Sequence, residues 1–145
     1  MLSVPKSSFL SVLCVFFIVN LVSAQDIQSP STQLYDSGIT LYESGFFEEA
    51  AKNFEEFSRA YPDHDLRISS DFYMTRAKTG MDSTNIESYY QKFVQRYPGS
   101  ELSEVLLRDL GHRFTASGDY ESAITYYQQA MDSWMSDKNA AKTKY

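Results

Sequence analysis

The stretch that decides the fold is Leu34–Pro62, LYDSGITLYESGFFEEAAKNFEEFSRAYP, and the chain contains two further segments of the same pattern. They are Ser70–Pro98, SDFYMTRAKTGMDSTNIESYYQKFVQRYP, and Leu107–Met135, LRDLGHRFTASGDYESAITYYQQAMDSWM. The Tyr-Pro dipeptide at 61–62 recurs 36 residues later, at 97–98. Self-similarity at a fixed period of this length is the signature of a repeat architecture.

The second half of each segment carries apolar residues at helical spacing. In the first segment Ala50, Phe54 and Phe57 stand at positions i, i+4 and i+7. The equivalent residues of the other two segments are Ile86, Tyr90 and Phe93, and then Ala123, Tyr127 and Ala130. This spacing places the three residues on one face of an α-helix. We therefore predict an all-α fold with two helices, A and B, in each segment.

Glycine and proline divide these helices. Gly45, Gly80 and Gly118 each fall between a helix A and a helix B, where glycine relieves the steric cost of a left-handed helix end. Pro62 and Pro98 follow a helix B and stop it, because the proline ring cannot continue the hydrogen-bond ladder. The breaks predict short turns within each pair and defined ends between the pairs.

Two further local features are predicted from residue type. Asp119 is placed to cap the last helix B, and Thr84–Glu87 has the form of a capping box for the middle one. Gly38 and Gly111 lie inside helices A. Since glycine has no side chain, we expect helix A to approach helix B closely at these positions. Such packing is needed because helices this short are not stable on their own.

These segments resemble tetratricopeptide repeats over about three-quarters of the chain. The middle segment departs from the family pattern, with Met74 in place of glycine and Ile86 in place of alanine. The resemblance implies antiparallel helix hairpins stacked in a short right-handed solenoid. The linkers YPDHDL and YPGSEL are similar to those of two kinds of bacterial envelope repeat protein, the periplasmic Tol–Pal accessory proteins and the outer-membrane assembly lipoproteins.

The resemblance also implies a concave groove lined by the A helices, which receives a peptide or a helix of a partner protein. The family's groove positions fall on Tyr35, Ile39, Tyr42, Asp71, Thr75, Lys78, Arg108, His112 and Thr115. Only two of these residues are basic. A clamp for C-terminal carboxylates, which some family members have, is therefore not expected.

Residues 1–24 have the features of a secretory signal peptide. Lys6 supplies the positive charge, the run Phe9–Val22 is apolar, and cleavage is expected after Ala24. The apolar run is shorter than the about 20 residues that cross a membrane. Retention as an anchor and lipid attachment at Cys14 are the alternatives, although Leu13 lacks the small side chain that a lipoprotein signal has before its cysteine. We predict secretion to the bacterial periplasm, with a short linker at 25–33.

Composition argues against nucleic-acid binding and against catalysis. The chain has 13 basic and 19 acidic residues, a net charge of −6, and phosphate-backbone binding depends on clustered cations. His64 and His112 are far apart and form no HExxH pair. Asp63–Asp65 could bind a divalent ion weakly, but polar residues at a helix start explain the same pattern. We expect no enzyme, no cofactor and no metal site.

The end of the sequence leaves two interpretations open. Ser136–Asn139 is expected to form a turn, so that 136–145 is either the start of a fourth helix A or a frayed tail. The face around Trp134 would then need a cover, such as further repeats or a second copy of the chain. The function predicted is a protein-binding scaffold in cell-envelope assembly or maintenance. The alternatives are a self-assembling oligomer and the N-terminal recruitment piece of a longer repeat protein.

Overall fold

The computed structural model describes residues 29–142 of the 145-residue chain. Within this range the chain forms six α-helices and a short 3₁₀ turn, Ser83–Asn85. The helices are α1 (Pro30–Glu43), α2 (Phe47–Ala60), α3 (Arg67–Met81), α4 (Ile86–Arg96), α5 (Glu101–Ser117) and α6 (Tyr120–Lys142). The described residues contain no β-strand, which confirms the all-α prediction. The signal-peptide prediction, with Cys14, lies outside the described residues.

Helix α1 begins earlier than the repeat pattern indicates. The Ser29 hydroxyl accepts the backbone N–H of Thr32 at 3.2 Å, and Pro30 occupies the first helical position. Proline is favoured there because its missing N–H would have no partner in the helix and its φ is already helical. The last part of the linker expected at 25–33 is therefore helical from Pro30 onward.

Helices α1 and α2 pack closely, as do α5 and α6, and a glycine is the reason in both pairs. A Cβ atom at Gly38 would lie 2.8 Å from Cε1 of Phe54. A Cβ atom at Gly111 would lie 2.5 Å from Cε1 of Tyr127. Both distances are too short for carbon–carbon contact, so an aromatic ring occupies the space that any other residue would need. This confirms the predicted role of the two glycines.

The three predicted glycine breaks have different outcomes. Gly45 and Gly118 adopt positive φ angles of 81° and 84°, as predicted for left-handed helix ends. The predicted break at Gly80 is wrong, because this residue lies inside α3, which continues to Met81. A Cβ at Gly80 would lie 2.7 Å from Cδ2 of Phe47. Gly80 therefore allows α3 to approach α2.

Of the two predicted caps, one is confirmed and one is wrong. Asp119 accepts the backbone N–H of Ser122 at 3.1 Å and so caps α6. The capping box predicted at Thr84–Glu87 does not form, because the preceding Asp82 takes the Thr84 N–H at 3.1 Å. The carboxylate of Glu87 instead accepts a hydrogen bond from the hydroxyl of Tyr126 on α6.

The interior consists of two apolar clusters. The first lies among α1, α2 and α3, and its buried members are Ala50, Ala51, Phe54 and Ala77. The second joins α3 to α6 and buries Phe72, Tyr90, Phe93, Leu106, Leu107, Leu110, Tyr126 and Ala130. Tyr73 packs against both clusters. On α6 the ring of Tyr126 is buried, whereas that of Tyr127, expected in the core, is half-buried over Gly111.

Helix α6 is a single helix from Tyr120 to Lys142. The turn predicted at Ser136–Asn139 is therefore wrong, and no separate fourth helix starts in the described part. The physical reason is that neither proline nor glycine occurs after Met135, and the strong helix former alanine follows at 140 and 141. The side chain of Trp134 lies outside what the structure describes. Within residues 29–142, no helix is both long enough and apolar enough to span a membrane.

Candidate partner-binding site

The predicted groove residues of α1 pack against α2 and α3. The ring of Tyr35 lies with its centroid 5.6 Å from that of Phe57, and Ile39 belongs to the same apolar cluster. The hydroxyl of Tyr42 accepts a hydrogen bond from Nε of Arg76 at 3.3 Å. These three groove residues are half-buried, so part of each side chain stabilises the helix packing.

The predicted groove residues of α5 lie on its exposed face. Arg108 forms an ion pair with Glu104 one turn earlier, at 2.9 Å. Nδ1 of His112 lies 3.0 Å from the hydroxyl of Tyr127. The Thr115 hydroxyl donates to a backbone carbonyl in the preceding turn at 2.8 Å. All three side chains are engaged within the local helix pair and remain accessible to solvent.

The predicted groove residues of α3 meet at one place. Asp71, Thr75 and Lys78 line a cavity of about 380 Å³ between α3 and α4. A second cavity, of about 320 Å³, adjoins it on the side of α2. The two cavities share Asp71, Met74, Lys78 and Arg96. We call the two together the basic cleft, after the five basic residues that line it: Arg59, Arg67, Lys78, Lys92 and Arg96.

The cleft lies where the sequence departs from the repeat pattern. Met74 stands in α3 at the position of Gly38 and Gly111, and its side chain lines both cavities. A methionine leaves no space for a ring from the partner helix at that position. Tyr90, which corresponds to Phe54 of α2, instead donates its hydroxyl to Asp109 of α5, at 2.9 Å.

The floor of the cleft is a hydrogen-bond network centred on Asp71. This residue is 2% exposed. One carboxylate oxygen accepts from the hydroxyl of Ser58 at 2.6 Å. The other accepts from the hydroxyl of Tyr97 at 2.5 Å, from Arg96 at 3.2 Å and from Arg67 at 3.3 Å. The Asp71 side chain thus links its own helix, α3, to α2 through Ser58, to α4 through Arg96, and to Tyr97 directly after α4.

The network sets the ionisation of Asp71. Burial by itself would raise the pKa of this carboxyl group, because a charge is poorly solvated in the interior. Hydrogen bonds from Ser58, Tyr97 and Arg67 outweigh burial, and the pKa of Asp71 lies below its usual value. Burial, and then the hydrogen bond to Asp71, raises the pKa of Tyr97. The carboxylate is therefore ionised at neutral pH, and the tyrosine keeps its proton.

The basic residues of the cleft differ in how they are used. Arg67 and Arg96 pair with Asp71. Arg59, Lys78 and Lys92 form no ion pair with any residue of the described chain. Besides Asp71, the cleft contains one acidic side chain, Glu55. Three cations consequently face the cleft without a protein counter-ion.

Most of these residues belong to helices that the groove prediction left out. Arg59 lies on α2, and Lys92 and Arg96 lie one turn apart on α4. The sequence does contain a signal for them. Asp71 is the acidic residue at a repeat position that holds Tyr35 in the first segment and Arg108 in the third, and it lies where the basic residues converge.

The two histidines are accounted for by local contacts. Nδ1 of His64 accepts the backbone N–H of Leu66 at 3.1 Å, and the ring packs against Phe57. In the part of the chain that the structure describes, no three His, Cys, Asp or Glu side chains are grouped closely enough to hold a metal ion. His64 thus stabilises the connection between α2 and α3.

Comparison with known protein families and with curated proteins finds no match for this chain.

Proposed function

We propose that this protein is a tetratricopeptide-like scaffold that binds protein partners and does not transform them. The repeat in the sequence, the antiparallel packing of α1 on α2 and of α5 on α6, and the matching glycine–aromatic contacts in these pairs support a short solenoid. Repeat architectures of this kind present extended surfaces suited to binding other chains.

The single observation that carries the proposal is the basic cleft. It is an open cavity between helices, lined by lysine and arginine side chains and by the rings of Tyr89 and Phe93. Such a mixture of apolar surface and a few polar groups is typical of ligand sites. Asp71 is not available as a general base, because both of its oxygens accept hydrogen bonds and its pKa is low. The cleft thus has the means to hold a ligand.

A site-specific photo-crosslinking experiment tests this proposal. We would place a photoreactive phenylalanine at Gln95, which is exposed at the cleft, and at Gln129, an exposed glutamine on α6, as the matched control. A third position, Arg108, samples the α5 part of the predicted groove. Irradiation in extract of the source cells is expected to give discrete protein adducts from position 95 and none from 129.

Adducts from position 108 alone would move the binding surface to the exposed face of α5. The scaffold proposal fails if all three positions give no adduct while the labelled proteins remain helical by circular dichroism.

We place this function in the bacterial cell envelope, in assembly or maintenance, because residues 1–24 have the pattern of a secretory signal. N-terminal sequencing of the exported protein is the direct test. A mature chain that begins at Gln25 supports the proposal, and an intact Met1 in the cytosolic fraction contradicts it.

Self-association is a second candidate, favoured by an exposed apolar stripe on α6. Tyr120, Ile124, Met131 and Met135 repeat at helical spacing, and their exposed fractions are 65%, 57%, 60% and 50%. Ile124 corresponds in the repeat to Ala51, which is buried in α2. A further helix would therefore cover this stripe, from a second copy or from additional repeats.

Sedimentation velocity over a concentration series tests this candidate. Self-association predicts a mass that rises with concentration in the wild type and not in Ile124→Glu, whereas Gln129→Glu, at an exposed position of α6 away from the stripe, behaves like the wild type. A constant monomer mass for all three proteins would exclude it.

A further inference from the structure

We propose that the basic cleft binds an acidic segment of a partner protein, in which carboxylates flank an apolar side chain. This inference rests on the scaffold function proposed above and names the chemistry of the ligand.

The first argument is the sign of the charge. The whole chain has a net charge of −6, yet the cleft collects five of its 13 basic residues beside only two acidic ones, Glu55 and Asp71. The charge of the cleft is thus positive, opposite in sign to the net charge of the whole chain. A negatively charged ligand is attracted to the cleft and repelled by much of the remaining surface.

The second argument is that the cations are available. Asp71 neutralises one of the two positive charges of Arg67 and Arg96. Glu55 can offset one more positive charge in the cleft. Arg96 is 61% exposed and uses one nitrogen for Asp71, so its other N–H groups remain free to meet a ligand. Lys78 and Lys92 form no ion pair with a described residue, so the cleft keeps a positive charge that a ligand can meet.

The third argument is the apolar surface between the charges. Met74, Tyr89 and Phe93 line the cavity along with Lys78 and Lys92. Methionine adapts its shape to different ligand side chains, and Phe93 is part of the buried core, which gives the wall a fixed position. Cavities of about 380 and 320 Å³ have room for a few side chains. A ligand segment with an acidic residue next to an aromatic or aliphatic one can pair with the cations and also contact the apolar wall.

The size of the basic surface favours a peptide over a nucleic acid. Affinity for a phosphate backbone grows with the number of phosphates neutralised along it. Beyond the cleft, α2 exposes Glu48, Glu49 and Glu56, so a longer polyanion would meet repulsion there. A short acidic segment places its charges inside the cleft and ends before that surface begins.

Fluorescence anisotropy with the full chain tests the inference. The probe is a labelled, end-blocked twelve-residue peptide that repeats Glu-Glu-Phe, and the matched probe has glutamine at every glutamate. We expect the glutamine peptide to bind about tenfold more weakly or worse, because several exposed ion pairs are lost at once. Affinity for the acidic peptide should also fall steadily as salt rises, since the charges on both sides are exposed.

Matched variants locate the binding. Lys92→Glu reverses an exposed lysine in the cleft and should weaken binding of the acidic peptide about tenfold. Lys52→Glu makes the same change at an exposed lysine of α2 outside the cleft and should change it less than twofold. Circular dichroism checks that both variants keep the helical content of the wild type.

Equal affinities for the two peptides, or equal effects of the two lysine variants, would overturn the inference, as would no binding at about 1 mM peptide. Tighter, Lys92-dependent binding of a single-stranded oligonucleotide would also overturn it, in favour of a polyanion site. The scaffold function is judged separately. Adducts from position 95 without a preference for acidic peptide would keep that function and reject the acidic ligand, whereas failure of both experiments would reject both.

Discussion

The outer helix pairs and the middle pair hold together in different ways. In α1–α2 and in α5–α6, an aromatic ring fills the space left by Gly38 or Gly111. In α3–α4, Met74 stands at the glycine position, and the helices leave the basic cleft between them. The difference teaches that a degenerate repeat is not simply a weakened copy. Met74, which breaks the pattern, lines the basic cleft, where we propose that a ligand binds.

The two kinds of pair also differ in how their stability is distributed. The outer pairs spread it over many apolar contacts, such as the rings of Tyr35, Phe54 and Phe57, which meet edge to face. The middle pair also buries rings, such as Phe72 and Phe93, but its polar contacts centre on one buried carboxylate with four donors. A single substitution can therefore remove most of the polar contact across the middle pair, whereas no single ring carries an outer pair.

The largest expected effect comes from removing that carboxylate. Asp71→Ala leaves the partly buried Arg67 without its counter-ion, and breaking a buried pair costs about 3–5 kcal/mol. Because Arg96 can turn to water, we expect a loss of about 3 kcal/mol in the free energy of unfolding. Urea denaturation measures it, and Asp36→Ala on the exposed face of α1 is the control. A loss no greater than that of the control would contradict the central role of Asp71.

The pH dependence of stability is expected to depend on the same group. Its pKa is lower in the folded than in the unfolded chain, so its contribution is complete above the unfolded value of about 3.9 and is lost as pH falls through the folded pKa. Stability should therefore drop in acid below about pH 4, and less steeply in Asp71→Asn. The control is Asp36→Asn, which replaces an exposed aspartate of α1 outside the Asp71 network. Parallel curves for wild type and Asp71→Asn would refute this prediction.

Filling the glycine space should damage an outer pair. In Gly111→Ala the new methyl group overlaps the ring of Tyr127, a cost that exceeds the about 1 kcal/mol gained in helix propensity. We expect a net loss of about 2 kcal/mol. Gly80→Ala brings its methyl group within 2.7 Å of the half-buried ring of Phe47 and should also destabilise the protein, somewhat less because the overlap is smaller. Thermal unfolding measures both variants, and a midpoint for Gly111→Ala no lower than that of the wild type would show that the glycine does not set the packing of α5 on α6.

The smallest expected effect separates two tyrosines at equivalent positions of the repeat. Tyr97→Phe removes a hydrogen bond to a charged group and should cost about 1.5 kcal/mol. Tyr61→Phe removes a hydroxyl that has no hydrogen-bond partner among the described residues, and should cost close to nothing. Chemical denaturation of the two variants gives the difference. If both substitutions lower the free energy of unfolding equally, the hydrogen bond from Tyr97 to Asp71 makes no specific contribution to the middle pair.

Much of the fold follows from local rules that the sequence displays. Apolar spacing predicts the helices, and Gly45, Gly118 and Asp119 act at the ends as their residue types predict. Gly80 does not, because it packs against Phe47 of another helix, and the Thr84–Glu87 capping box does not form because Asp82 takes the Thr84 N–H while Glu87 accepts from Tyr126. Nothing in the local pattern indicates the distant rings of Phe47 and Tyr126.

The candidate site was predictable to a smaller extent. The family pattern points to Asp71, Thr75 and Lys78, which do line the cleft. It does not point to Lys92 or Arg96, because their approach to α3 depends on how α4 is placed once Met74 excludes a close pair. That placement is a property of tertiary packing, and residue types alone do not determine it.

The position of Tyr73 bears on how the protein unfolds locally. It is the ring that packs against both apolar clusters, and Asp71 provides the polar link near it on the same helix. In repeat proteins, stability is a sum of unit terms and of interfaces between neighbours, and weak interfaces let one part open alone. Amide hydrogens of α1 and α2 should therefore exchange as one cooperative group and those of α5 and α6 as another. The two halves of the chain then behave as separate folding units joined at α3.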